Sequence, residues 1–145
     1  MNNSNDDTVV LMSINPQYVK AIQSGNKLVE FRKRKFTKEI KNILVYETAP
    51  LMAVVGYFEI KDIYTGTPEE IWKKYSKIGE ITKEDYFNYY TESDIAVGIS
   101  INEFFPFSKP IDLKKYKIKP PQSFIYLTKD LFINMIKTGG SRATP

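Results

Sequence analysis

From Met52 to Tyr64 the chain carries its longest alternation of apolar and polar residues. A period of two is the signature of a β-strand, whose successive side chains point to opposite faces. Met52, Val54, Phe58 and Ile60 are expected inward, and Tyr57, Glu59 and Lys61 outward. Gly56 falls in the inward row, where a missing side chain marks a bulge or a sharp bend. A strand this long and interrupted in this way requires a strongly curved sheet.

The rest of the chain supplies partners for it. Val9 to Ile14 reads as a first strand. Asn15-Pro16 opens a helix, with Asn15 as the expected cap and Pro16 at the first helical position, where no hydrogen bond is lost. Tyr18, Val19 and Ile22 share one face of this helix, and Gly25 stops it. Further strands are read at Ile43 to Glu47, broken by Ala49-Pro50, and at Ile95 to Ile101, ending in Phe104-Phe105-Pro106-Phe107. Between them Thr67-Pro68-Glu69-Glu70 is a capping box, and Thr82-Lys83-Glu84-Asp85 resembles a second. Their apolar stripes are Ile71, Trp72 and Tyr75, then Tyr86, Phe87 and Tyr90. Lys109 to Lys119 is basic and irregular. Ser123 to Leu127 reads as a last strand, and Thr128 caps a final helix from Lys129 to Ile136. The pattern predicts an α+β, mainly β domain over 9–137, with a helical insertion at about 67–92 and loose tails at 1–8 and 138–145. Closing five or six such strands into a compact barrel would remove their exposed edges.

Composition narrows the chemistry. The 145 residues include no cysteine and no histidine, which excludes disulfides, thiolate nucleophiles, His-based triads and histidine metal ligands. No metal and no cofactor is expected. No apolar run approaches the roughly 20 residues of a membrane span, and the polar start is unlike a signal peptide, so the expectation is a cytoplasmic protein with no membrane partner. The net charge of +4 permits a polyanionic partner.

That charge is concentrated. From Lys27 to Lys41, seven lysines and arginines face two glutamates, an excess larger than that of the whole chain. Within this run, Val29 and Phe31 share one strand face, while Glu30, Arg32 and Arg34 share the other at roughly 7 Å spacing. Two readings stay open. The charged row is a solvated ion-pair ladder, contributing roughly 0–1 kcal/mol per pair, or it walls a polar site. In a site, Lys27 and Arg32 would bind phosphate or a base edge, Arg32 through its planar fork, and Glu30 would accept from a base or hold Arg32. Arg34, Ser13, Tyr46, Gln122, Ser123 and Tyr126 are further binding candidates. On the site reading, Arg32→Ala abolishes binding and leaves the thermal midpoint nearly unchanged.

The segments Leu11 to Tyr18 and Ser24 to Lys33 resemble the opening of an ASCH domain, a branch of the PUA-like superfamily. Gly25, Lys27, Glu30 and Arg32 meet its G-x-K-x-x-E-x-R signature. Tyr46, Thr48 and Pro50, the strand from Met52 to Ile63, and Pro120 to Tyr126 resemble its later elements. The resemblance implies a small PUA-like (ASCH) β-barrel of five or six strands with peripheral helices, a cleft beside the first helix, and recognition of RNA or a nucleotide. Some members are amidohydrolases on a modified cytidine: their lysine matches Lys27, but their threonine nucleophile falls where this chain has Glu30, so their acyl transfer does not carry over. Others are described as ribonucleases. A binding module for RNA or a modified nucleotide, and a hydrolase using Lys27 and Glu30, are therefore both expected readings. The insertion leaves a protein-interaction role open, with no partner implied.

Overall fold

The computed structural model describes residues 7–140. Strand β1 (Thr8–Ile14) leads into helix α1 (Pro16–Gln23) and the short strand β2 (Val29–Arg32), followed by β3 (Asn42–Glu47) and β4 (Ala53–Gly66). The insertion contributes α2 (Pro68–Tyr75), a 3-10 turn (Ser76–Ile78) and α3 (Lys83–Tyr89). The chain then runs through β5 (Ala96–Ile111), a 3-10 turn (Leu113–Tyr116), β6 (Phe124–Thr128) and α4 (Lys129–Gly139). The expected tails fall largely on residues 1–6 and 141–145, outside the described residues. Among the described residues no helix is long and apolar enough to cross a membrane.

All six strands join one mixed sheet in the order β2-β5-β4-β3-β1-β6, with β1 and β3 parallel and the other pairs antiparallel. The expected curvature is present. Val45 pairs with Gly56 and Tyr46 with Val54, so Val55 is an extra residue in β4. Val54 joins an apolar cluster under α4 and Val55 one beside α1, so both neighbours are buried because both faces of the sheet are covered here. Gly56 is required there, because a Cβ would lie 2.5 Å from the Phe105 carbonyl oxygen.

The expected closed barrel is not formed. β2 and β6 are the two edges of the sheet and do not pair. β2 is only four residues long, and after Arg32 the chain leaves the sheet and crosses toward β6. Side chains make the seam that a ladder would have made. The Phe36 and Phe124 rings meet edge to face at 4.9 Å, and the Thr37 backbone N–H donates to the Tyr126 hydroxyl at 2.7 Å. Arg32 makes the remaining links, described below.

Three apolar clusters hold this arrangement. One, inside the curve, joins α1 to Val10, Met12, Ile14, Ile43, Val45, Phe58, Val97 and Ile99. The second lies on the opposite face under α4 and includes Leu11, Leu44, Tyr46, Phe107 and Met135. The third packs the insertion on β2 through Val29, Phe31, Ile71, Tyr75, Tyr86 and Tyr90. Each such buried side chain contributes roughly 1.5–3 kcal/mol.

Several local expectations change. Met52 lies outside β4, 56% exposed, at φ 57°. Ile95 precedes β5 and is exposed, and β5 runs on through Phe104–Phe107 to Ile111. Both faces of the first half of β5 are buried, because α2 covers Ala96, Gly98 and Ser100. Asn15 precedes α1 without a side-chain cap. The caps at Thr67, Thr82 and Thr128 all form, and Thr67 with Glu70 makes the reciprocal box.

Candidate functional site

The G-x-K-x-x-E-x-R segment forms the floor of a pocket of about 330 Å³. Gly25 takes φ +84°, which turns the chain out of α1 and toward the sheet. Lys27 precedes β2, so strand alternation does not govern it, and its side chain is almost completely buried, with 2% of the residue exposed. Its ammonium donates to the Gly79 carbonyl of the insertion. It also lies 4.9 Å from the centroid of Tyr18 and 5.1 Å from that of Phe31. Such aromatic contact partly replaces lost hydration.

Glu30 and Arg32 occupy the same face of β2, as alternation requires, and that face is turned inward. Their side chains are only 7% and 11% exposed. Glu30 Oε2 accepts from Arg32 Nη2 at 2.7 Å and from Nε at 3.2 Å. Glu30 Oε1 faces Lys27 Nζ at 4.0 Å, which is ion-pair range but beyond a hydrogen bond. A ligand atom between them could bond to both. Burial pushes the Lys27 pKa below the usual lysine value of 10.5; Glu30 opposes that shift, and Arg32 adds to it.

Arg32 is committed elsewhere. Nη2 also donates to the Ser13 carbonyl at 2.9 Å, and Nη1 to the Ser123 hydroxyl at 3.3 Å. Four of the five guanidinium N–H groups therefore have protein partners. These bonds join the edge β2 to β1 and to the segment before β6, across the gap left by the open sheet. Ser13 is itself anchored, its hydroxyl donating to the Pro121 carbonyl at 2.7 Å.

Of the residues singled out in the sequence, Ser13, Lys27, Glu30, Arg32 and Gln122 line the pocket. Ser123 stands behind Arg32. Tyr46 is buried in the cluster under α4, on the other face of the sheet. Arg34 lies beyond the end of β2, outside the pocket, with its guanidinium 4.9 Å from the Phe124 ring. Tyr126 holds Thr37 through its hydroxyl.

The pocket also draws on residues the sequence reading passed over. Asn15 and Thr48 meet at its rim, hydroxyl to amide oxygen, at 3.4 Å. Tyr18, Phe31, Ile81 and Tyr89 supply apolar wall, and Asp85 adds a second carboxylate. Burial raises the Tyr18 and Tyr89 phenol pKa values, so both stay neutral donors. Tyr18 falls within the first ASCH-like segment, a usable signal. Ile81, Asp85 and Tyr89 come from the insertion, and no spacing connects them to Lys27.

No protein-family model matches the chain. An ASCH domain-containing ribonuclease of Zymomonas mobilis is 29% identical over 131 residues, covering 86% of this chain and 88% of that protein. A large ribosomal subunit protein uL22 of Ureaplasma parvum is 32% identical over 120 residues, covering 81% of this chain but only 39% of that longer protein. The crystal structure of ASCH from Zymomonas mobilis superimposes with a TM-score of 0.81 at 27% identity, over 89% of this chain and 94% of that one.

Proposed function

Because this chain is an ASCH-domain protein, we propose that it recognises RNA or a modified nucleotide in the pocket above Lys27 and Glu30. The observation that carries this reading is the buried pair at the pocket floor. A cationic donor and an anionic acceptor stand 4.0 Å apart under aromatic walls. A nucleobase edge presents donors and acceptors side by side, complementary to a carboxylate beside an ammonium, and Tyr18 or Tyr89 offers a ring for stacking, worth about 1–3 kcal/mol per base. Gln122, exposed at the rim, adds a further amide. Arg32 acts here as a positioning residue, fixing the Glu30 carboxylate rather than meeting the ligand with its fork. The name of the Zymomonas relative supports an RNA-related function.

Calorimetric titration with nucleosides, nucleotides and short RNAs tests the reading. Binding of nucleosides and nucleotides is expected for wild type and lost in Lys27→Met and Glu30→Gln, and short RNAs are expected to bind both variants more weakly. Equal binding by either variant, folded by circular dichroism, would end it.

A second reading has one observation of its own. Burial lowers the Lys27 pKa, which makes the neutral amine more accessible. In a hydrolase, neutral Lys27 would take the proton of an attacking hydroxyl or water, and Glu30 would orient that group. A ribonuclease has more support than an amidohydrolase, given the named relative and the absence of a hydroxyl nucleophile at position 30. Product analysis in the same titrations separates a hydrolase from a binding module.

A further inference from the structure

We infer that the loop between β2 and β3 is a phosphate track that leads a single-stranded RNA away from the pocket. This rests on the RNA reading above but on different residues. Three exposed cations in this loop each sit on an aromatic ring. Lys33 lies 4.7 Å from the Tyr89 centroid, Arg34 4.9 Å from Phe124, and Lys38 5.6 Å from Tyr126. Tyr89 also lines the pocket, so the row begins at its mouth. Phe124 and Tyr126 alternate on β6, with centroids 5.8 Å apart, so the row continues along the edge of the sheet.

The loop is pinned rather than free. Phe36 packs edge to face on Phe124, and the Thr37 N–H is held by the Tyr126 hydroxyl. Charges on a fixed loop do not have to be ordered again on binding, which lowers the cost of association. An exposed cation–π pair is worth only about 0.5–1 kcal/mol, so each cation can turn to a phosphate at little expense. Doing so uncovers the ring beneath it for a base. Cations interleaved with aromatic faces suit unpaired nucleotides, because a duplex keeps its base faces stacked internally. Glu39, exposed in the same loop, is the one carboxylate among residues 33–38 and their next neighbour.

The test uses fluorescence anisotropy with labelled octauridylate and an eight-pair RNA duplex, from 50 to 200 mM salt. Three phosphate contacts on a single strand correspond to a logarithmic salt slope of roughly −2, or about a 20-fold loss of affinity over that range. In the triple variant Lys33→Gln, Arg34→Gln, Lys38→Gln, octauridylate affinity is expected to fall at least tenfold at 50 mM salt, and the slope to flatten by about two. The single variant Lys38→Glu should give part of the same loss, which guards against a folding defect in the triple variant. Lys27→Met should weaken octauridylate at every salt concentration while its residual binding keeps the wild-type slope, because the track phosphates are untouched. If the triple variant keeps both affinity and slope, the track is wrong. If the duplex binds as tightly and loses as much, the surface is a general polyanion site and the single-strand assignment falls. If Lys27→Met binds octauridylate as wild type does while the triple variant fails, the track stands and the pocket reading is the one that fails.

Discussion

Arg32 Nη2 lies 2.9 Å from the carbonyl oxygen of Ser13, so one guanidinium joins the first strand of the sheet to its short edge strand. The same group holds the Glu30 carboxylate at 2.7 Å. Arg32, a ligand-binding candidate in the sequence and part of the pocket lining, therefore also fastens two strands, and its removal should report on stability.

Arg32→Ala is expected to destabilise the protein by about 3–5 kcal/mol, because it strands a buried carboxylate and a main-chain acceptor. The site reading of the sequence expected an unchanged thermal midpoint and the ladder reading a drop; the buried, four-bonded guanidinium favours the drop. Urea unfolding measures it, and Arg32→Lys should recover only a fraction, since an ammonium cannot reproduce the fork. A midpoint within error of wild type would refute the fastener role.

Lys27 makes a signed pH prediction. Its folded pKa lies below 10.5, so between the folded value and 10.5 the unfolded chain binds more protons at this site than the folded one. Stability from this group therefore rises with pH across that window. Measured against Lys27→Met, wild type should gain stability as pH climbs through that window toward 10.5. Function separates by sign: ligand binding through the ammonium weakens over the window, whereas hydrolysis through the amine accelerates.

Gly79→Ala should damage the pocket from outside the motif. A Cβ at Gly79 would lie 2.8–2.9 Å from the Phe31 ring, one of the two rings beside the Lys27 ammonium. Overpacking of this kind costs about 1–3 kcal/mol. Unfolding curves and ligand titration should both move; a shift in stability alone would mean that the ring does not position Lys27.

Tyr90→Phe removes the hydroxyl that donates to the Arg32 carbonyl at 2.8 Å, a bond from the insertion to the edge strand. Burial raises the Tyr90 pKa far above the usual phenol value, so this donor stays protonated at all ordinary pH. The loss should be about 1 kcal/mol. Hydrogen exchange should show it as faster opening of residues 29–32, with β3 unaffected.

Thr67→Ala breaks a reciprocal cap in which the Glu70 N–H donates to the Thr67 hydroxyl and the Thr67 N–H to the Glu70 carboxylate. A cost of about 0.5–2 kcal/mol is expected. Because the insertion supplies Ile81, Asp85 and Tyr89 to the pocket and the Gly79 carbonyl to Lys27, ligand affinity should fall as well.

Local physics made much of this chain readable without coordinates. Period-two runs marked β2, β4 and the first half of β5, short apolar runs marked β1, β3 and β6, three threonines gave helix starts, and Gly56 gave the bulge, because propensity, capping and backbone sterics act within a few residues. Glu30 and Arg32 were legible for the same reason, since residues two apart in a strand share a face, whereas Lys27, outside β2, was singled out by the G-x-K-x-x-E-x-R signature. Tertiary structure alone determined which way that segment faces. Burial of Glu30 and Arg32 depends on Ser13 and Ser123, and burial of Lys27 depends on Gly79. Those contacts span sequence separations that no periodicity encodes. The same holds for the open seam between β2 and β6: alternation specifies faces, but only the packing of whole strands settles whether two edges meet.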